Sequence, residues 1–205
     1  MKTDKPQILF ATNNAHKLDE IRAILSADFD VLSLADIGFD EDIPETADNL
    51  SDNALEKVQY VHHRFPNIPY CFADDTGLEV KALDGKPGVH TARYAFADRN
   101  DTEANTTKLL TEMQGKSDRT ARFRTVIALI HHNHTELFEG IVEGAIATER
   151  RGTQGFGYDP VFIPEDTGKT FAELGVKVKN RISHRARAVK KLCDFMKNQI
   201  QTENK

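Results

Sequence analysis

Two adjacent carboxylates, Asp74 and Asp75, follow a short apolar run, Tyr70-Cys71-Phe72-Ala73, and precede Thr76 and Gly77. The run reads as a buried strand, and an open α/β sheet places its chemistry at the far ends of such strands. Neighbouring aspartates repel when both are ionised, so a cation is a natural partner. Mg²⁺ suits this donor set, because it takes one or two carboxylates together with substrate phosphate oxygens. The same residues also read as an ordinary turn, since Asp, Thr and Gly are turn formers.

Four other groups of polar residues fall at predicted element ends. Thr12-Asn13-Asn14-Ala15-His16-Lys17 lies between an apolar strand and a helix. A helix N-terminus presents free N–H groups and a partial positive charge that suit phosphate, and Lys17 adds a full charge. Simple capping of the helix by Asn14 is the other reading. Glu45 stands in an acidic loop, with Asn53 and Lys57 four apart on the next helix. Glu45 can complete a metal site with the aspartates and Lys57 can meet phosphate oxygens, although exposed acids and helix lysines are common. Gly155-Phe156-Gly157-Tyr158-Asp159-Pro160 puts two aromatics on a glycine frame that can stack on a flat base. A hydrophobic plug fits those residues equally well, and Asp159 before proline is expected to be extended. Lys179 and Ser183-His184-Arg185 come last. Ser183 reads as an N-cap, which puts His184 and Arg185 in a first helical turn, against the helix dipole. Donors there can read a base carbonyl or hold phosphate. His131, His132 and His134 read as a hairpin tip, with alternating directions and no converging ligands.

The elements that must position these residues alternate. Gln7–Ala11 reads as a strand, a helix begins near Ala15, and Phe29–Leu34 reads as a second strand. Residues 36–48 form an acidic loop, and Leu50, Ala54, Val58 and Val61 mark a helix. A strand ending at Asp74-Asp75 follows, then an alternating strand over 78–83 and a helix over 104–113. Residues 121–132 and 135–148 read as a long antiparallel hairpin, 160–163 as a short strand, and the C-terminal stretch as an amphipathic helix. The pattern predicts an α/β fold with a mixed sheet.

The 205 residues suffice for a single domain, and 39% hydrophobic content supplies a core. A net charge of −5 argues against nucleic acid and anionic membrane as partners. No apolar run reaches spanning length, and no signal-type apolar core follows the charged N-terminus. Cys71 and Cys193 are far apart in apolar patterns, so free buried thiols and a reducing cytoplasmic setting are expected.

Taken in order, the motifs are far more specific than any one alone. They run Thr-Asn-Asn-x-x-Lys17, then Phe72-Ala-Asp-Asp-Thr-Gly-Leu-Glu-Val through Thr91-Ala-Arg-Tyr94, then Gly155-Phe-Gly-Tyr-Asp-Pro-Val-Phe162, Lys169-Thr-x-Ala-Glu-Leu174 and Ser183-His-Arg185. In order and spacing this resembles the inosine triphosphate pyrophosphatase family, from residue 8 to about 195. The resemblance implies a Mg²⁺-dependent, homodimeric hydrolase that cleaves ITP, dITP and XTP to monophosphate and pyrophosphate. It implies one elongated α/β domain over residues 1–205, with a long mixed sheet flanked by helices and two lobes around a central cleft. Carried over, Asp75 is the metal-binding and catalytic aspartate, Asp74 supports it, and Glu45 is a second metal ligand. Thr12, Asn13, Asn14, Ala15, His16 and Lys17 hold phosphates with Lys57. Thr76, Phe156, Gly157, Tyr158, Asp159, Lys179, His184 and Arg185 contact substrate. Asn13 replaces a frequent Gly, Thr76 and Thr91 replace Ser, and Asp52 replaces a common Glu. None of these changes removes a charge the chemistry needs. The alternatives are a pyrophosphatase for other modified nucleotides, or a non-catalytic nucleotide-binding protein.

Overall fold

The structure is a computed structural model that describes residues 5–132 and 134–203. Its elements run β1 (Gln7–Phe10), α1 (Ala15–Leu25), β2 (Asp30–Leu32), α2 (Leu50–Arg64), β3 (Tyr70–Val80), β4 (Pro87–Gly88), α3 (Thr102–Glu112), β5 (Thr120–His131), β6 (His134–Ile146), β7 (Phe162–Pro164), α4 (Phe171–Leu174), α5 (Val176–Ile182) and α6 (His184–Glu203). The seven strands form one sheet in the order β2-β1-β3-β5-β6-β7, with β4 beside β3. β1 pairs in parallel with β2 and β3, whereas β3–β4 and β6–β7 are antiparallel. The expected mixed α/β sheet is therefore present. β5 and β6 are sheet neighbours separated by two residues, a spacing open to antiparallel strands because parallel neighbours need a crossover of a dozen residues or so.

Contacts divide the chain into two compact units, one of Met1–Asp75, Thr125–Gly140 and Ala186–Lys205, the other of Thr76–Arg124 and Ile141–Arg185. In the first, Ile8, Phe10 and Phe72 of the sheet pack with Ile21 and Leu25 of α1 and with Ala188, Val189, Leu192 and Met196 of α6. The rings of Phe10 and Phe72 stack at 4.5 Å. The i, i+3/i+4 spacing of apolar residues in both helices supplies these faces. The core of the second unit gathers Leu78, Leu109, Phe123, Val142, Tyr158, Phe162 and Phe171.

Several boundaries differ from the sequence reading. β3 does not stop at Asp74-Asp75; it runs unbroken to Val80, and a 3₁₀ turn covers Lys81–Leu83. The turn reading of the aspartates therefore fails, because ladder pairing and side-chain partners override the weak preference of Asp, Thr and Gly for turns. The second strand is shorter than expected, and the strand expected at 160–163 lies at Phe162–Pro164. Asp159 lies in a run of turns rather than in an extended segment: its N–H donates to Phe156 O at 3.2 Å, and the N–H groups of Val161 and Phe162 both donate to Tyr158 O. The bias from Pro160 is outweighed by these bonds.

Candidate active site

In the first unit the register places the acids. β1 ends at Phe10 opposite Phe72, and Ala11 N–H still donates to Phe72 O at 2.8 Å. β3 continues past that last pairing into Asp74 and Asp75. Successive strand side chains point to opposite faces. Asp74 meets α1, where Lys17 Nζ lies 2.9 Å from its Oδ1. Asp75 meets α2, where Asn53 Nδ2 donates to its Oδ2 at 3.0 Å and Lys57 Nζ lies 3.6 Å from its Oδ1. The aspartate pair is thus not a single two-carboxylate site. Alternation sends the two acids to different near neighbours, Asp74 to Lys17 and Asp75 to Lys57 and Asn53.

Lys57 joins Asp75 to the loop acid. Its Nζ also lies 2.7 Å from Glu45 Oε1, and its side chain is 6% exposed. Burial opposes the Lys57 ammonium, but the carboxylates of Asp75, Glu45 and Asp74 outweigh it and hold the lysine protonated above its ordinary range. Burial pushes the Asp75 carboxyl above the usual aspartate range, against the opposing pull of Lys57, Lys17 and the Asn53 amide. A carboxylate raised in this way is a stronger proton acceptor.

The Thr12–Lys17 loop caps α1. Asn14 Oδ1 accepts from Lys17 N–H at 3.1 Å, and Thr12 Oγ1 accepts from Asn14 N–H at 3.2 Å. Asn13 Nδ2 donates to Glu41 O at 3.3 Å. Ala15 and His16 open the helix and are exposed. Capping is therefore real, and the loop keeps its place at the head of α1, where helix-end N–H groups favour anions.

The second unit carries its own constellation. Lys179 Nζ lies 2.6 Å from Asp159 Oδ2 and 4.3 Å from the centre of the Phe156 ring. Asp159 Oδ2 also accepts from Phe156 N–H at 2.8 Å, so one carboxylate fixes both the lysine and the turn. The His184 ring stacks on Phe123 at 4.5 Å, and Arg185 Nη2 donates to Thr76 Oγ1 at 3.4 Å. His184 and Arg185 are both buried in the first turn of α6. Ser183 before them has the extended backbone of an N-cap residue. Tyr158 is 4% exposed and donates its hydroxyl to Thr91 O at 2.9 Å. Its ring belongs to the core, so of the two aromatics that sequence reading offered for stacking, only Phe156 keeps a partly exposed face. Gly157 is partly buried beside it with φ +62°, a left-handed conformation that favours glycine.

The sequence pattern of the Ham1 family matches residues 8–195. The chain belongs to the Ham1 family. It is 56% identical over 191 residues to the dITP/XTP pyrophosphatase of Porphyromonas gingivalis, covering 93% of this chain and 97% of that one. It is 50% identical over 192 residues to the dITP/XTP pyrophosphatase of Flavobacterium psychrophilum, covering 94% and 100%. The solved Ham1 protein of Staphylococcus aureus superposes with a TM-score of 0.83 at 36% identity, over 94% of this chain and 99% of that one. The resemblance drawn from motif order therefore holds across the Ham1 match.

The donor set of this Ham1 chain suits a hard divalent cation. Glu45 and Asp75 are both oxygen donors and both lie against one Lys57 ammonium. Among the described residues no group of three or more His, Cys, Asp or Glu forms a ready cage. Two carboxylates are donors of the kind Mg²⁺ takes together with water and phosphate oxygens. Sequence reasoning missed Glu56, whose carboxylate accepts the Thr46 N–H and hydroxyl, both at 2.7 Å. Glu56 follows Asn53 by three and precedes Lys57 by one, but no local signal links that face to a loop upstream.

Proposed function

We propose that this protein hydrolyses the non-canonical purine nucleoside triphosphates ITP, dITP and XTP to the monophosphate and pyrophosphate, clearing deaminated purines from the nucleotide pool. Two relatives over nearly full length are named dITP/XTP pyrophosphatases. The observation that carries the chemistry is Asp75: buried, bonded by Asn53, facing Lys57, and raised in pKa by burial.

Cleavage between the α and β phosphorus atoms needs water to attack the α-phosphorus while pyrophosphate leaves. Mg²⁺, held by Asp75 and Glu45 in this reading, neutralises developing charge on phosphate oxygens when bound. Asp75 acts on the attacking water, by orienting it or by taking its proton. Lys57 and Lys17 bring two ammonium groups to the triphosphate, with Thr12, Asn13, Asn14, Ala15 and His16 supplying the helix-end loop. Asp74 keeps Lys17 in place. Base reading falls to the second constellation. His184 or Arg185 donates to the 6-oxo group of hypoxanthine or xanthine, while adenine presents a 6-amino donor to a donor and is disfavoured. Thr76, Phe156, Gly157, Asp159 and Lys179 frame that contact, and Tyr158 supports the loop from the core. A homodimer and a cytoplasmic setting belong to the same proposal; no helix among the described residues is long and apolar enough to cross a membrane.

Pyrophosphate release on adding Mg²⁺ and ITP tests the reading. Asp75→Asn is expected to cut turnover by about 10²–10⁴-fold with the circular dichroism spectrum unchanged. Near-normal turnover in that variant removes Asp75 from the mechanism. Comparison of ITP, XTP, GTP and ATP tests selectivity, and equal rates for all four discard the donor model. Turnover confined to other modified nucleotides identifies a related pyrophosphatase instead.

A further inference from the structure

Three successive residues of the acidic loop are each gripped by one residue of α2. Lys57 Nζ lies 2.7 Å from Glu45 Oε1. Glu56 takes Thr46 with both oxygens, accepting from the backbone N–H at 2.7 Å and from the hydroxyl at 2.7 Å. Asn53 Oδ1 accepts from Ala47 N–H at 2.9 Å. Residues 45–47 lie outside any helix or strand, so these side chains do for the loop what a ladder does for a strand. Positions 53, 56 and 57 follow the i, i+3, i+4 rule and share one helix face. The far end of the Asn53 amide donates to Asp75 Oδ2 at 3.0 Å. One rigid face therefore touches both the loop that carries Glu45 and the strand that carries Asp75.

We propose that Asn53 and Glu56 are positioning residues that set the placement of Glu45 relative to Asp75, Glu56 by fastening Thr46 and Asn53 by fastening Ala47 and Asp75 together. The proposal rests on the reading of Glu45 and Asp75 as metal ligands. Glu56 touches neither acid; it acts through the backbone of the residue after Glu45. A second carboxylate clasps the loop backbone while Glu45 faces Lys57. Without Glu56 the loop keeps the Asn53 bond and the Lys57 pair, so Glu45 is loosened rather than lost.

The test uses the full chain with Glu56→Ala, Thr46→Val, their combination, and Thr46→Ser. Two readouts are taken: amide hydrogen exchange of the protein alone, and pyrophosphate release from ITP as a function of Mg²⁺ concentration. Glu56→Ala is expected to speed exchange at 45–47 while β3 keeps its protection. Glu56→Ala is expected to raise the Mg²⁺ concentration at half-maximal rate about tenfold, within the range found for groups that hold a ligand in place, and Thr46→Val, which keeps the backbone N–H bond to Glu56, by less, with kcat at saturating Mg²⁺ nearly unchanged in both. The double variant is expected to be no worse than Glu56→Ala alone, because that change already removes both bonds to Thr46. Thr46→Ser keeps both donors and is expected to match the parent. Asn53→Ala also touches Asp75 and is expected to lower kcat as well. Unchanged exchange at 45–47 in Glu56→Ala overturns the clamp whether or not the protein turns over nucleotide. Faster exchange with an unchanged Mg²⁺ requirement overturns the positioning role. A parent protein that releases no pyrophosphate from ITP, dITP or XTP overturns the functional reading instead, and exchange still decides the clamp.

Discussion

The Lys179 ammonium sits 2.6 Å from the Asp159 carboxylate, and each side chain is only 3% exposed. The same Asp159 oxygen accepts the Phe156 N–H at 2.8 Å, so this buried pair also shapes the turn. Room for that oxygen comes from Gly155, where a Cβ would stand 2.1 Å from it, at a φ of +85°. Gly155→Ala is expected to cost about 3 kcal/mol or more, combining left-handed strain with a disrupted buried pair. Gly157→Ala is the control: its φ is +62° but a Cβ meets nothing within 4 Å, so strain alone, about 1 kcal/mol, remains. Urea midpoints of the two variants check this, and equal losses contradict it.

Lys57 compensates two acids at once. Its replacement by Met leaves Asp75, 12% exposed at its side chain, without its ammonium partner. Breaking a buried pair from one side is expected to cost about 3 kcal/mol. Adding Asp75→Asn to Lys57→Met is expected to return part of the loss, because the uncompensated charge disappears. Denaturant unfolding of the parent and the two variants measures it. A double variant less stable than Lys57→Met contradicts the assignment.

Both cysteines are free thiols; Cys71 is buried and Cys193 half-buried. Burial pushes the Cys71 thiol up to about 12. Burial also raises the Cys193 thiol, which lies 3.5 Å from Asp28 Oδ2. A thiolate is the reactive form, so Cys71 is expected to stay unlabelled by a disulfide reagent at pH 8 in the native protein, with Cys193 reacting slowly and both reacting at once in guanidinium. Peptide mapping after labelling decides the order.

Asp36 gives the pH dependence its clearest sign. Its carboxylate accepts the Ser33 hydroxyl at 2.6 Å and the Ser33 N–H at 2.8 Å, with Arg22 Nη2 at 2.8 Å. The Ser33 hydroxyl, then its N–H, then the Arg22 charge hold the pKa below the ordinary value despite some burial. A depressed native pKa contributes stability that is complete above the unfolded value, about 3.9, and is lost as pH falls through the native one. The stability gap between the parent and Asp36→Asn is therefore expected to be widest near neutral pH and to close below about pH 4. Urea midpoints across that range check it; a gap that widens on acidification contradicts the sign.

Local chemistry made much of this protein legible from its sequence. The apolar periods of α1, α2 and α6 reflect faces that must leave water, and the cap at Asn14 follows from a side chain that suits a helix start. The order of the motifs was enough to point to the family. The course of β3 was not legible, because Asp-Asp-Thr-Gly prefers turns, and the lysines and Asn53 brought in by α1 and α2 help make those aspartates tolerable in a buried strand. The core position of Tyr158 was equally hidden, since its hydroxyl partner lies 67 residues away in the chain.

Sequence by itself therefore determined where the main helices and the strands β1, β5 and β6 form and which residue types arrive at their ends, since these depend on neighbours a few positions apart. Tertiary structure alone decided that Asp74 and Asp75 serve different lysines and that Asn53, Glu56 and Lys57 clasp the loop of Glu45. Those relations require strand pairing and helix packing to bring distant segments within hydrogen-bond range, and no period or local preference encodes that approach.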